Sequence, residues 1–454
     1  MLKYIQEENA IDSAIIRSLE KDAFRRNELI FKFISKISLM EHNTGNSVFL
    51  DGPWGSGKTF FVRSICLLLE PLPLQDERIN QIIEKAKSTG YDEDQQIDEA
   101  KTKLYPVYFN AWSHDDEIDP LVSLLTTIAG SLSCKIEDGL KDEKAKSLLT
   151  AIVKPIVNKY ADFDTLLECL DSSTNDIFQP SLDTRKRKEQ VHKLIKSFLD
   201  DTGKEKLVLF IDELDRCKPS YAIELLERIK YYFDSENVLF VFSLNMAELS
   251  NVLSSYFGNG FNGSSYLTKF YNHYYRLPNL PSEKYLEHHE LKSAAMVDSR
   301  FTFGLWLADH YNLSIREKNR FFNEIQYSDL AVGHSPSFKA NEFCSTVIYP
   351  LTIILRMRDL NAYEEFITGF SVSPLLDLLT TTAKETISKI LELGNDDSAE
   401  LEKSINKIYD FLFCEHDWTD RTLIIGDAEF DSFHRNWIQT KTGCLFSSVL
   451  FNTN

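Results

Sequence analysis

Residues 47–59 read Ser-Val-Phe-Leu-Asp-Gly-Pro-Trp-Gly-Ser-Gly-Lys-Thr, and this stretch decides the fold. The apolar run at 47–50 predicts a short buried parallel strand, and residues 60–69 predict a helix directly after the stretch. Between them, residues 52–59 match the pattern G-x-x-x-x-G-K-[ST] completely. A chance glycine-rich turn would lack this flanking strand and helix, so the sequence predicts a phosphate-binding loop.

The residue types in this loop suit the phosphates of a purine nucleoside triphosphate. Its three glycines allow a tight turn in which successive N–H groups face one anion, and the following helix adds its positive dipole end. Lys58 is expected to reach the β- and γ-oxygens, and the Thr59 hydroxyl to ligate Mg²⁺. The residues predicted to bind the nucleotide here are Gly52, Pro53, Trp54, Gly55, Ser56, Gly57, Lys58 and Thr59.

A second signal is acidic. The apolar run at 207–211 predicts a buried strand, and Asp212 and Glu213 follow it at the sheet edge where ligands bind. Asp212 is expected to hold the magnesium shell, and Glu213 to polarise the attacking water. The alternative is that Glu213 only pairs with Arg216 or caps the next helix. Arg216 could contact the γ-phosphate of a neighbouring subunit or form a structural salt bridge. The role of Asp215 is also open.

Asn245 follows another apolar run, residues 237–244, at the same predicted edge of the sheet. Its side chain could sense the γ-phosphate or orient the water. It could equally cap the helix predicted from Met246, because asparagine is a favoured N-cap residue. Both interpretations stay open from the sequence.

The fold class predicted is α/β, a P-loop NTPase parallel sheet with helices on both faces, because apolar runs at 47–50, 106–109, 206–211 and 237–244 alternate with helical segments. A helix is predicted over 11–40. Helical insertions are predicted over about 75–104 and 118–203, and the first of these is expected to be solvated. The chain of 454 residues is too long for one core of ordinary size. We expect a P-loop domain at 1–280 and a mainly α-helical region, without strands, at 281–454.

Composition excludes several classes of function. Lysine and arginine number 50 against 69 acidic residues, a net charge of −19 that disfavours generic nucleic-acid or anionic-membrane binding. No apolar run reaches the roughly twenty residues of a membrane span. The seven scattered cysteines suit reduced thiols in a cytoplasmic protein. The histidine-containing segments 288–290 and 415–417 lack metal-ligand spacing.

ATP is the expected nucleotide. The guanine-reading pattern Asn-Lys-x-Asp is absent, since the segments 158–162 and 406–410 each contain one residue too many and neither follows a strand. A small-molecule kinase is the weaker interpretation, because no acceptor site and no lid with converging arginines is recognisable.

Five motifs together resemble the KAP family of P-loop NTPases over roughly residues 15–370. They are the Trp-containing loop at 52–59, Phe-Asn-Ala-Trp at 109–112, Ile-Asp-Glu-Leu-Asp-Arg-Cys at 211–217, Tyr-Leu-Thr-Lys-Phe at 266–270 followed by Arg-Leu-Pro at 276–278, and the helix at 314–321. The resemblance implies an additional-strand P-loop core with a helical lid, and it identifies Arg316 as a second sensor. From the residues alone, Arg316 is one of several cations on a solvated helix face.

The chain departs from this family in two respects. Many members carry transmembrane helices between the phosphate loop and the acidic strand, whereas residues 113–205 here indicate a soluble helical segment. The usual Asp-Asp pair is Asp-Glu at 212–213, which favours hydrolysis. We therefore expect an ATPase that uses Mg²⁺, switches its helical C-terminal region and thereby controls assembly or a partner protein. The resemblance also implies self-association, and it implies a role in antiphage defence if the host is bacterial. The alternative is a nucleotide-gated scaffold that binds ATP with little turnover.

Overall fold

The structure is a computed structural model that describes residues 2–22, 26–40, 47–70, 77–92, 96–117, 119–136, 184–234, 237–258, 260–280, 298–326, 337–393, 398–414 and 422–442. The chain divides into two compact units, Met1–Pro278 and Asn279–Asn454, and each is described by itself. This division falls two residues before the boundary expected from the sequence. The segments 288–290 and 415–417, and the part of the predicted insertion at 137–183, lie outside the described residues.

A five-stranded parallel sheet in the order β2-β3-β4-β1-β5 forms the centre of the first unit, within the described residues. Strand β4 lies between β1, which leads into the phosphate loop, and β3, which ends in the acidic pair. This interposed strand is the additional strand that the family resemblance implied. The strands are β1 (Ser47–Asp51), β2 (Leu104–Asn110), β3 (Lys206–Asp212), β4 (Val238–Leu244) and β5 (His273–Arg276).

The four predicted strands and the parallel sheet are confirmed, and β5 is an addition to them. Its sequence His-Tyr-Tyr-Arg has no apolar run, because it is an edge strand whose side chains are mostly exposed. The buried strands are apolar at nearly every position because both faces of the sheet are covered. Alternate residues supply two separate cores, so that Phe49 faces one core and Leu50 the other.

The helices of the first unit cover both faces of this sheet. The face that carries Leu50 is covered by α1, α2, α3, α4 and α5, and the opposite face by α6, α7, α8, α9 and α10. Their bounds are α1 (Leu2–Glu20), α2 (Asn27–Leu39), α3 (Lys58–Leu69), α4 (Glu77–Thr89), α5 (Gln96–Lys103), α6 (Pro120–Ile136), α7 (Thr184–Thr202), α8 (Pro219–Tyr232), α9 (Met246–Phe257) and α10 (Gly263–Leu267).

Two helical predictions for this unit need correction. The helix expected over 11–40 is two helices, α1 and α2, and Asp22 between them has a φ of 46°. The segment at 75–104, expected to be solvated, buries one face of α4 and two residues of α5 in the core. Isoleucine at 79, 82 and 83 lies on one side of α4, and this helical spacing outweighs the charged composition of the segment.

The second unit is mainly helical. Its helices are α11 (Ser299–His310), α12 (Ile315–Gln326), α13 (Phe338–Phe343), α14 (Tyr349–Arg358), α15 (Leu360–Ile367), α16 (Ser373–Leu378), α17 (Ala383–Leu391), α18 (Ser398–Phe413) and α19 (Ser432–Thr442). A π-helical turn, Cys344–Ile348, joins α13 to α14. The expectation of no strands is wrong, since β6 (Leu423–Ile425) and β7 (Ala428–Phe430) form an antiparallel hairpin. Strands of three residues are too short to show a period in the sequence.

A capping box begins α12. The Ser314 hydroxyl accepts a hydrogen bond from the Glu317 backbone N–H at 3.4 Å, and the Glu317 carboxylate accepts one from the Ser314 N–H at 2.7 Å. Lys318 is buried one residue later and donates to Asp309 and to the Leu280 carbonyl. The helix that carries Arg316 is therefore held at its first turn.

Among the helices described here, none combines the length and the apolar character that crossing a bilayer requires.

Candidate phosphate site

The glycine-rich loop joins the end of β1 to the start of α3. Gly55 and Gly57 have φ values of 80° and 90°, a region that side-chain-bearing residues rarely occupy. At Gly52 the restriction is steric, because a Cβ there would lie 2.8 Å from the Ser56 hydroxyl oxygen. These three glycines let the chain turn from strand to helix within a few residues, as the sequence motif requires.

Lys58 lies within the loop, with its side chain folded back over it. Its ammonium donates hydrogen bonds to the carbonyls of Gly52 at 2.5 Å and Pro53 at 3.2 Å. Burial lowers the pKa of Lys58, and the negative charges of Asp215, Asp212 and Asp51 oppose that shift. The cation therefore lies in a field of carboxylates with only neutral carbonyls as its direct partners.

Two hydroxyls in the loop are available to a ligand. Within the described part of the chain, the Thr59 hydroxyl makes no hydrogen bond, and Thr59 is half-buried at the first turn of α3. The Ser56 hydroxyl is buried and also lacks a partner among the described residues. Buried polar atoms are normally paired, so an unpaired hydroxyl beside an anion-binding turn fits a bound oxygen ligand.

Asp212 ends β3, and its carboxylate lies on the sheet face that α3 covers, because Val208 and Phe210 belong to the core on that face. The residue is 1% exposed. The Tyr108 hydroxyl donates to one carboxylate oxygen at 3.1 Å, and the Glu213 N–H donates to the other at 3.0 Å. Two donors thus hold the orientation of a buried carboxylate beside the phosphate loop.

Glu213 adopts a left-handed backbone conformation with a φ of 61°. Its carboxylate accepts from the Asn110 side-chain amide at 3.2 Å and pairs with the Arg216 guanidinium at 2.9 Å. Burial raises the pKa of Glu213, with further contributions from Asp212 and Asp215, while Arg216 and Asn110 act to lower it. The ion pair considered from the sequence is present, and the carboxylate also lies next to Asp212.

Arg216 and Asp215 each contact a tryptophan of the site. The Arg216 guanidinium lies 5.4 Å from the centre of the Trp112 ring, and the Trp54 indole N–H donates to Asp215 at 2.6 Å. Both rings are about half exposed, Trp54 at 46% and Trp112 at 51%. Burial raises the pKa of Asp215, and Lys58 and the Trp54 hydrogen bond oppose that change.

Asn245 follows β4 and caps α9. Its side-chain oxygen accepts a hydrogen bond from the Glu248 N–H at 3.4 Å. The helix-cap interpretation therefore describes its contact in this structure. A polar residue that the sequence analysis missed precedes it in β4: Ser243 is fully buried, lies in register with Asp212, and has a hydroxyl without a partner among the described residues.

Arg26 is a second residue that the sequence analysis missed. Its guanidinium, 3% exposed, donates to the carbonyl of Ser56 in the phosphate loop at 3.1 Å and to the carbonyl of Pro278 at 2.7 Å. Burial lowers its pKa to about 10, so Arg26 remains charged at neutral pH. No local motif marks this arginine, because its partners lie 30 and 252 residues away.

Arg316 belongs to the second unit, in the first turn of α12. It is exposed and makes no ion pair within the described residues. Neither unit contains, among the residues described, a group of three or more His, Cys, Asp or Glu side chains able to hold a metal ion by themselves.

Two comparisons with known proteins found a match to this chain. The family model described as the KAP family P-loop domain matches residues 26–330, more than half of the chain. A solved structure of the ORC2 protein of Aeropyrum pernix, in ADPNP–ADP complexes, is 11% identical; the match covers 92% of this chain and 93% of that one, with a TM-score of 0.31. No curated protein sequence matches the chain.

Proposed function

This chain belongs to the KAP family of P-loop domains, and from that premise we propose that it binds ATP with Mg²⁺ at Gly52–Thr59 and hydrolyses it. One observation carries the proposal. The buried ammonium of Lys58 folds over the loop that follows β1, the buried carboxylate of Asp212 ends β3 at the same edge of the sheet, and Glu213 follows Asp212 directly. This combination suits phosphoryl chemistry, in which charge neutralisation supplies most of the catalysis.

Binding begins with the loop and Lys58. A triphosphate would replace the carbonyls of Gly52 and Pro53 as partners of the ammonium, exchanging neutral acceptors for charged ones. The start of α3 at Lys58 directs its N–H groups and positive dipole end toward the same phosphates.

Thr59 and Asp212 are the residues that would hold Mg²⁺, and their hydroxyl and carboxylate oxygens are the ligand types that this ion prefers. When bound, Mg²⁺ would neutralise negative charge on the phosphate oxygens. The hydrogen bonds from Tyr108 and from the Glu213 N–H keep the Asp212 carboxylate in one orientation. The Thr59 hydroxyl has no competing partner among the described residues.

Glu213 would accept the proton of the attacking water. Its carboxylate has acceptor positions beyond the two used by Asn110 and Arg216, and the water would take one of these positions or replace one of these contacts. The raised pKa of Glu213 makes it a stronger base than an exposed glutamate. Arg216, once released, would be free to stabilise the γ-phosphate of its own or a neighbouring subunit.

A nucleotide-gated scaffold is the second candidate, and one observation favours it. The Glu213 carboxylate is already bonded to both Arg216 and Asn110, and keeping these contacts would make turnover slow. Steady-state phosphate release separates the two functions. Slow release with stoichiometric retention of ATP would support the scaffold.

The proposal extends to the second unit. In a cytoplasmic protein, ATP turnover would switch residues 281–454 and thereby control self-association or the binding of a protein partner. If the host is bacterial, antiphage defence would be the role. Arg316 would act as the second sensor of the γ-phosphate, and Asn245 as a further contact. In support, Arg316 is exposed without an ion pair in the described residues, and Asn245 lies at the same sheet edge as Asp212.

Plaque counts in cells that carry the parent or the Lys58→Ala chain would test the defence role.

A paired substitution tests the hydrolysis proposal. Lys58→Ala should abolish detectable ATP binding in calorimetry, because the loop loses the buried ammonium that would neutralise the phosphates. Glu213→Gln should keep ATP affinity within about threefold and lower phosphate release by about 100-fold or more, in the range assigned to a general base. Equal turnover in Glu213→Gln and the parent chain would remove Glu213 from this role. Absence of any binding heat for Mg·ATP with folded parent protein would overturn the proposal as a whole.

A further inference from the structure

Trp54 connects the phosphate loop to the turn that follows β3. Its indole N–H donates a hydrogen bond of 2.6 Å to the carboxylate of Asp215, which lies 161 positions later in the chain. The side chain is 46% exposed, so burial of the ring accounts for only part of its placement. Because tryptophan has one polar group, the indole N–H, this hydrogen bond is the contact that orients the side chain.

The carboxylate of Asp215 is buried, with the residue 7% exposed. Besides the bond from Trp54, it accepts a hydrogen bond from the backbone N–H of Asn245, the residue that follows β4. The carboxylate therefore joins three segments at one edge of the sheet: the phosphate loop, the turn after β3 and the start of α9. Both donors are neutral, so the negative charge of Asp215 has no cation as a direct partner among the described residues.

The nearest charge to which Asp215 responds is the ammonium of Lys58. Among the carboxylates that oppose the lowering of the pKa of Lys58, Asp215 has a larger effect than Asp212 or Asp51. The two side chains nevertheless form no ion pair within the described residues, because the ammonium donates to loop carbonyls. Neighbouring buried charges of opposite sign normally pair, since an unpaired buried charge is costly. A contact must therefore keep this carboxylate turned away from the ammonium.

We propose that Trp54 is a positioning residue: its indole N–H holds the Asp215 carboxylate away from Lys58 and so leaves the ammonium available to the phosphates. The inference rests on the proposed function and adds to it the residue that keeps Lys58 accessible. A carboxylate released by Trp54 would pair with Lys58, and a nucleotide would then have to displace it. Carboxylate and phosphate compete for this ammonium because both accept charge-assisted hydrogen bonds from it.

A double-mutant cycle, measured by calorimetry with Mg·ATP, tests this role. Trp54→Phe removes the N–H and keeps an aromatic ring, so any contact of the ring with the nucleotide is retained. Asp215→Asn removes the charge that would compete for Lys58, and the cycle is completed by the variant that carries both changes. Trp112→Phe is the matched control, since Trp112 is 51% exposed and its ring faces Arg216. Thermal melting verifies that each variant folds, and Asp215→Ser replaces Asp215→Asn if the latter does not.

Trp54→Phe should weaken Mg·ATP binding by about tenfold or more in the parent background, because the released carboxylate occupies the ammonium. In the Asp215→Asn background the same change should weaken binding by no more than about threefold, because no competing charge is left. Trp112→Phe should have the same effect in both backgrounds, since its ring does not contact Asp215.

Three outcomes decide against the inference. Equal effects of Trp54→Phe in the two backgrounds would overturn the positioning role while ATP binding stands. Loss of ATP binding in Asp215→Asn alone would also overturn it, because affinity cannot require a carboxylate whose release is inhibitory. Absence of binding heat for Mg·ATP with the folded parent would instead overturn the proposed function, and the inference with it.

Discussion

The charge balance around Glu213 depends on a single arginine. Asp212 and Asp215 raise its pKa together with burial, and Arg216 is the largest influence that lowers it. Because hydrolysis would need the ionised carboxylate, activity should be present above this pKa and lost as the pH falls through it. The pH dependence of turnover therefore reports directly on the Arg216 contact.

Arg216→Ala should move the acid limb of the kcat profile to higher pH, because removing the cation raises the pKa of Glu213 further. Arg216→Lys keeps a positive charge and should leave the limb closer to that of the parent. Phosphate release measured across pH for the three chains decides the matter. An acid limb at the same pH in Arg216→Ala and the parent would contradict the assignment of that limb to Glu213.

Individual residues of the candidate site were predictable from the sequence only where a motif or an apolar strand next to them in the chain marks their position. Lys58 and Asp212 stand at fixed offsets from an apolar strand, so a motif and a strand pattern locate them. Arg26 has no such context, because its hydrogen bonds join segments far apart in the chain. Ser243 is hidden in an apolar run, and its significance depends on sheet register with Asp212.

At the scale of elements, Arg26 ties three segments together: the start of α2, the phosphate loop and Pro278, the second residue after β5. Arg26→Met should keep the buried volume but leave the carbonyls of Ser56 and Pro278 without this donor. An unpaired buried polar group costs about 1–3 kcal/mol, so we expect a lower melting temperature and roughly tenfold weaker Mg·ATP binding. Arg26→Lys is the control: both bonds come from a single guanidinium nitrogen, Nη2, so a lysine ammonium keeps the charge and a donor for these carbonyls. Unchanged melting and affinity in Arg26→Met would show that the loop does not depend on this contact.

Helices α9 and α10 approach each other closely at Gly263. A Cβ at this position would overlap the backbone carbonyl oxygen of Ser250, which cannot move without shifting α9. Alanine normally stabilises a helix relative to glycine, but overpacking here should dominate, and Gly263→Ala should lower the free energy of unfolding by about 1–3 kcal/mol. Ser265→Ala, an exposed change in the same short helix, should be close to neutral. Denaturant unfolding of the two variants measures this free energy. A Gly263→Ala chain more stable than the parent would contradict the close approach of α9 and α10.

Each feature that the sequence analysis missed has its own physical cause. Strand β5 is exposed at the sheet edge, so its residues need not be apolar, and its pairing with β1 supplies the order. The hairpin of β6 and β7 is too short for alternation to be visible. Segment 75–104 was expected to be solvated because its charge count hid a stripe of isoleucines. Periodic buried elements were predictable, and edge elements were not.

For the whole molecule, the net charge of −19 sets the kind of partner to expect. The strong negative charge opposes long-range attraction to phosphate backbones, and the Lys58 ammonium is a local cation among carboxylates. We therefore propose a protein partner or a second copy of the chain rather than nucleic acid. The candidate phosphate site lies within the first of the two units, so an effect of nucleotide on the second unit needs its own test.

Hydrogen exchange can test whether the second unit switches. In Glu213→Gln, which should hold ATP without turnover, Mg·ATP should slow amide exchange both in the first unit and in α12, whose first turn carries Arg316. Lys58→Ala should show neither change, and Arg316→Ala should lose the change in α12 while keeping that in the first unit. Because a ligand shifts an equilibrium only by binding its states differently, protection confined to residues 2–278 would mean that ATP does not act on the second unit. The chain would then be an ATPase whose helical region has a separate task.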